Sequence, residues 1–128
     1  MTSLVIDSWA WIEYMNGTPA GRKVESAMSS AKDLWTSVLT IAEVVSKYRR
    51  KGMDESQALD AIATLSRAGI PDAEDAIEAG RLQARIRKTS PNFGIADAFV
   101  LQLARKLGAK VVTGDPDFRG VKDATFID

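Results

Sequence analysis

The sequence predicts an α/β fold: a three-layer α/β/α sandwich with a mostly parallel central sheet. Short apolar runs alternate with segments of helical periodicity, the pattern of strands and helices in turn. The first run, Leu4-Val5-Ile6, is continuously apolar rather than alternating, as in a strand covered on both faces. No linker, internal repeat or low-complexity tract interrupts the pattern, so residues 1–128 read as one domain.

Each element has a local reason. Leu4-Val5-Ile6 forms the first strand, and Ser8 caps a helix that carries Trp9, Ile12 and Met15 inward. Asn16-Gly17-Thr18-Pro19 breaks it, and a second helix runs from Ala20 to Met28 with Val24, Ala27 and Met28 inward. Leu34 to Val38 is the next strand. Thr40 to Lys51 is a helix with Ile41, Val44, Val45 and Tyr48 on one face, ended by Gly52. Asp54 to Arg67 is a further helix with Ala58, Ile62 and Leu65 inward. A break at Ala68-Gly69-Ile70-Pro71 follows, with room for a very short strand. Asp72 to Arg87 is helical, Thr89 to Asn92 a loop, and Phe93 to Leu107 a strongly apolar helix closed by Gly108. Lys110 to Thr113 is a strand, Gly114-Asp115-Pro116-Asp117-Phe118 a turn, and Thr125-Phe126-Ile127 a last short strand.

Composition removes several functions. Hydrophobic residues make up 45% and charged ones 27%, which excludes a disordered chain. A chain of 128 residues buries roughly two-thirds of its unfolded surface and needs no disulfide or structural metal to fold. There is no Cys and no His, so thiolate or imidazole metal sites and Ser-His-Asp or Cys-His nucleophile systems are excluded. Acid–base chemistry near neutrality falls to carboxylates, Lys, Tyr or metal-bound water. Lys plus Arg equals Asp plus Glu at 17 each, so nucleic acid is not attracted globally and any basic grip is local. No segment reads as a signal peptide or a membrane span, and with no Cys the expected location is the cytoplasm.

Most acids fall on polar faces or helix starts, Asp75 among them. A few do not. Asp97 lies inside the apolar stripe formed by Phe93, Val100, Leu101 and Ala104, where an unpaired carboxylate costs several kcal/mol. The dipole and free amides of a helix start would ease that cost. Asp7 directly follows a buried strand, and ligands of open α/β sheets bind beyond the carboxyl ends of strands. Asp115 and Asp117 follow the strand ending at Thr113, in sequence that also suits an ordinary turn. Glu43, taken alone, completes a capping box with Thr40. Together these acids meet at one edge of a parallel layer, where strands end and the next helices begin. Carboxylates so gathered cannot all ionise without a positive partner. Mg²⁺ or Mn²⁺, hard cations that take oxygen ligands, fit such a pocket and suit phosphodiester cleavage.

The sequence resembles a PIN-domain ribonuclease, specifically the short stand-alone VapC toxins of toxin–antitoxin pairs. The resemblance spans essentially the whole chain. It rests on Leu4-Val5-Ile6-Asp7-Ser8, Glu43 in Thr40-Ile41-Ala42-Glu43-Val44, Asp97 in Gly94-Ile95-Ala96-Asp97-Ala98, and Thr113-Gly114-Asp115-Pro116-Asp117-Phe118. It implies a PIN-like sandwich whose acidic pocket, Asp7, Glu43, Asp97 and Asp115, binds one or two Mg²⁺ or Mn²⁺ ions. By the same resemblance Asp117 is an additional metal acid, and Ser8 and Thr113 support the pocket. The implied activity is metal-dependent hydrolysis of RNA, and the implied partners are RNA, a cognate antitoxin and a second copy in a homodimer.

Two basic clusters could grip RNA: Lys47, Arg49, Arg50 and Lys51 at one helix end, and Arg81, Arg85 and Lys88 along another. Trp11 or Tyr14, if exposed, would anchor a protein partner. Two other acidic phosphoryl-transfer folds fit poorly. A haloacid dehalogenase needs a second Asp two residues after the first, where Trp9 stands. A response-regulator receiver needs an acid pair after the first strand, but Ile6 precedes Asp7. It also needs a Lys after the last large strand, where Gly114 stands. The remaining alternative is a non-catalytic, metal-containing RNA-binding or regulatory module.

Overall fold

A computed structural model describes residues 1–128. Five strands form one sheet: β1 (Leu4–Ile6), β2 (Leu34–Ser37), β3 (Arg67–Gly69), β4 (Lys110–Thr113) and β5 (Ala124–Phe126). Their order is β3-β2-β1-β4-β5, and every pairing is parallel. Six helices connect them: α1 (Ser8–Asn16), α2 (Pro19–Ser29), α3 (Val38–Arg50), α4 (Ser56–Leu65), α5 (Ala73–Ile86) and α6 (Ile95–Leu107). A 3₁₀ turn, Pro116–Phe118, follows β4.

The sheet divides the interior into two cores, as the two-residue period of a strand requires. Leu4, Ile6 and Val112 face one way, onto Trp11, Val24, Val44, Tyr48 and Ile62 from α1 to α4. Val5 and Val111 face the other way, onto Leu82, Phe93, Val100, Leu101 and Phe118 around α5 and α6. The continuous apolar runs therefore have their cause in helices packed on both faces, and the three-layer expectation holds.

Several local expectations are corrected. Asp7, not Ser8, caps α1: its Oδ1 accepts from Ala10 N at 2.8 Å. In α1 the fully buried tryptophan is Trp11, whose Nε1 donates to Thr36 Oγ1 at 3.1 Å, while Trp9 is half-buried. Trp9, Ile12 and Met15 do pack against the same core, but Trp11 is buried with it, because α1 is packed against α2, α3, α4 and β4 on more than one side. Trp11 is thus no exposed anchor, and Tyr14 lies edge-on against it, half-buried. Val38 opens α3 instead of ending β2, with Ser37 as the cap accepting from Leu39 N. Apolar Val38 and Leu39 look like strand in sequence, but the Ser37 hydroxyl starts the helix there. Glu43 consequently lies in the second turn, and the capping box with Thr40 does not form.

Arg67 belongs to β3 rather than to the preceding helix, α4 begins at Ser56 rather than Asp54, and Leu65 is exposed at the end of α4. α6 begins at Ile95, and Phe93 enters the core from the loop, its ring edge-on to Phe118. β5 runs from Ala124 to Phe126, one residue earlier than expected. Asp75 is not a surface acid: it is buried beneath α6, accepting from Gln102 Nε2 at 2.8 Å and paired with Lys106 Nζ at 3.1 Å. No helix is long and apolar enough to cross a membrane.

Candidate metal centre

β1 and β4 are neighbours in the middle of the sheet, with Ile6 opposite Val112. Asp7 and Thr113, the next residues along each, therefore emerge side by side at the carboxyl edge. Asp7 is 4% exposed, its Oδ1 accepts from the Ala10 amide at 2.8 Å, and the Thr113 hydroxyl is close enough to favour its charged form. Burial pushes its carboxyl up to about 7, despite these contacts, and the charges of Asp115 and Asp97 push in the same direction.

The turn after β4 brings two more acids. Thr113 Oγ1 accepts from Asp115 N at 3.0 Å, and Asp115 Oδ1 accepts from Asp117 N at 2.9 Å. These contacts set the 3₁₀ turn and direct both carboxylates to the sheet edge. Ser90 fastens the turn from outside, its hydroxyl donating to the Asp117 carbonyl at 2.9 Å. Gly114 allows the turn to pass beneath the Trp9 ring, since a Cβ there would collide with the indole. Asp117 is raised by desolvation first and by Asp115 second.

Asp97 arrives from the start of α6, where its Oδ2 accepts from Gly94 N at 2.8 Å. The position of Asp97 combines two features. It caps its own helix, and it is drawn into the acid cluster. Desolvation pushes it up to about 6, reinforced by Asp115, Glu43 and Asp117 and opposed by the Gly94 amide.

Carboxylate oxygens of Asp97, Asp115 and Asp117 lie within 4.8 Å of one another. Asp7 stands beside this trio rather than within it, one oxygen held by the Ala10 amide. Glu43 borders the trio from α3, close enough to raise Asp97 by its charge. Ser8 is buried next to Asp7, and its hydroxyl accepts from Lys47 Nζ at 3.3 Å. The structure thus gathers all seven residues singled out in the sequence at one edge, with the three closest acids being Asp97, Asp115 and Asp117.

None of the five acids has an ion-pair partner; the ion pairs of the molecule all lie elsewhere. Hard oxygen donors converging without a protein cation match what a small divalent ion requires. The residues fit such an ion. Sequence reasoning overlooked Lys47 and Trp9 at this site; the four-residue step from Glu43 to Lys47 on one helix was the available signal. Thr40, expected to cap with Glu43, instead has a buried hydroxyl without a hydrogen-bond partner.

Ligands of parallel α/β sheets bind beyond the carboxyl ends of the strands, and here that edge carries clustered acids without a protein counter-ion. The PIN domain model matches residues 4–124, and the chain belongs to the PIN domain family. No curated protein matches the sequence significantly. Among solved structures, the fold is similar to Mycobacterium tuberculosis VapC20, a sarcin-ricin loop cleaving toxin. The TM-score is 0.75 and the identity 18%, over 98% of this chain and 99% of that one. It is also similar to a chain of DNA-bound VapBC from Salmonella typhimurium, with a TM-score of 0.70 and 19% identity over 100% and 98% of the two chains. A chain of a Klebsiella pneumoniae toxin–antitoxin complex matches with a TM-score of 0.73 and 18% identity over 95% of each.

Proposed function

We propose that this protein is a metal-dependent endoribonuclease, one PIN-like nuclease domain acting as the toxin of a toxin–antitoxin pair. The observation that carries the reading is the convergence of Asp97, Asp115 and Asp117 within 4.8 Å, from two separate stretches of chain, without a protein cation. In this reading Asp97, Asp115 and Asp117 hold Mg²⁺ or Mn²⁺, with Asp7 and Glu43 completing the acidic set. A bound divalent ion supplies Lewis acidity and charge compensation for hydrolysis of an RNA phosphodiester.

The chain's own groups do the rest. The Gly94 amide orients Asp97, and the Thr113 hydroxyl orients both Asp7 and the Asp115 turn. Asp7 holds a proton near neutrality, and positive charge beside it favours release of that proton. An antitoxin partner is supported by structural neighbours that are themselves toxin–antitoxin complexes. A homodimer is supported by the resemblance to VapC toxins.

The test is a fluorescent RNA incubated with Mg²⁺, with Mn²⁺ or with EDTA. Cleavage is expected with either metal and not with EDTA. Asp97→Asn keeps an acceptor for the Gly94 amide, so it is expected to fold normally and to lose detectable cleavage. Full activity of that variant overturns the site assignment. RNA binding by the wild type without metal-dependent cleavage favours a non-catalytic RNA-binding module instead.

A further inference from the structure

The acidic pocket sets a problem for the proposed substrate. Phosphodiesters are anions, the pocket is a cluster of carboxylates, and the chain as a whole is neutral. An RNA strand needs local positive charge to reach this edge.

Most candidate cations are engaged or remote. Arg49 pairs with Glu55 and Arg81 with Glu78, and Arg87 donates to the Pro91 carbonyl at 3.0 Å. Lys47 and Arg50 are different. Neither has a carboxylate within ion-pair distance. Both follow Glu43 on α3, and at about 100° per residue the three side chains fall within a sector of about 60°. A single groove of about 280 Å³ is lined by Glu43, Lys47 and Arg50 together with Ala42 and Ser46. A second groove shares Lys47 and Arg50, adds the exposed Lys51, and continues to the half-buried ring of Trp9. Its one acid, Glu13, accepts from the Thr18 hydroxyl at 2.8 Å through Oε2 and is outnumbered by the groove's cations. Lys47 is anchored at the rim through Ser8, the residue after Asp7.

We infer that Lys47 and Arg50 form a phosphate grip for single-stranded RNA, holding the strand along the α3 groove as it enters the acidic pocket. The inference rests on the ribonuclease reading and goes further by naming the path of the substrate. Lys47 holds the phosphate nearest the acids and Arg50 a phosphate farther along. The exposed cations Arg85, on α5, and Lys88, just after it, line neither groove.

The experiment uses a mixed-sequence, fluorescein-labelled oligoribonucleotide. KM and kcat are measured for the wild type, Lys47→Ala/Arg50→Ala, Lys47→Arg and Lys32→Ala. Lys32 is exposed before β2, at the opposite edge of the sheet, and serves as the control for losing a positive charge away from the groove. The salt dependence of RNA affinity is measured by anisotropy in the Asp97→Asn background. The double variant is expected to raise KM about tenfold with little change in kcat, and to reduce the salt slope by about 1.4, two single-strand phosphate contacts. Lys47→Arg should stay near wild type, as should Lys32→Ala. If the wild type cleaves and the double variant leaves KM and slope unchanged, the grip is overturned and the nuclease reading stands. An equal loss of slope in Lys32→Ala also overturns it. If the wild type does not cleave but the slope still falls in the double variant, the nuclease reading fails and the grip stands. Absence of both cleavage and RNA binding removes both.

Discussion

Asp7 and Asp75 are both nearly buried, at 4% and 8% exposure, yet their carboxyl groups move in opposite directions. Asp7 is raised to about 7 by desolvation, with Asp115 and Asp97 adding to it. Asp75 is lowered, first by the Asp72 amide, then by the Lys106 ammonium and the Gln102 amide. The two sites contain the same functional group and differ in what surrounds it. At Asp75 the chain supplies every partner, the arrangement expected of a structural carboxylate. At Asp7 and its neighbours the chain brings anions together and leaves the positive partner out. The first arrangement ties α5 to α6; the second leaves unresolved repulsion at the sheet edge, the mark of a site completed by something from outside.

Mutation should separate the two regions sharply. Asp75→Ala removes the capping-box acceptor of α5 and leaves Lys106 and Gln102 without their common partner. It is expected to lower the melting midpoint by several degrees while RNA cleavage by the folded fraction persists. Asp97→Asn should do the reverse. A melting curve and a cleavage assay on both variants decide the matter; equal loss of stability in the two would erase the distinction.

The pH dependence sharpens the same contrast, and the signs differ. Asp7 and Asp97 have folded values of about 7 and about 6 against an ordinary 3.8. The folded state holds protons there that the unfolded chain has already released. Their contribution is fully present below pH 3.8 and is lost as pH rises through 6 and 7. Asp75, lowered in the folded state, contributes above its ordinary value and loses that contribution as pH falls through its folded one. Metal-free protein is therefore expected to melt higher at pH 5 than at pH 8. Saturating Mn²⁺ at pH 8 should raise the midpoint, by about 2.7 kcal/mol of stabilisation at 100 times the dissociation constant. Asp97→Asn should weaken that response. Thermal scans with EDTA and with Mn²⁺ measure both; a midpoint higher at pH 8 in EDTA would contradict the account of the pocket.

The smallest effect is expected on α5 itself. Arg81 and Glu78 form an exposed pair one turn apart, with side chains 68% and 49% exposed. Arg81→Ala should change stability by less than about 0.5 kcal/mol, because solvent screens such pairs. A loss comparable to that of Asp75→Ala would show that pairing in the interior is not what distinguishes Asp75.

The sheet was legible because its strands are buried on both faces, so Leu4-Val5-Ile6 and Lys110-Val111-Val112-Thr113 stand out without long-range information. Asp97 was legible for a related reason: a carboxylate within an apolar stripe is conspicuous. Helix starts were less so. Val38 and Leu39 suit either strand or helix, and only the Ser37 cap decides between them. The role of Asp75 was hidden, since its partners Gln102 and Lys106 lie 27 and 31 residues away. The α3 grip was half visible, as a run of cations whose individual pairings no local pattern reveals.

The order of residues by itself determined that this chain is a layered α/β protein with five out-of-place acids and neither Cys nor His to serve them. That much follows from periodicity and chemical type, which are local properties. Which acids approach one another, which cations remain unpaired and which buried carboxylate is already satisfied were decided by tertiary structure. Those outcomes depend on distances between side chains far apart in sequence, set here by the parallel pairing of β1 with β4 and the packing of α3 and α6 beside them.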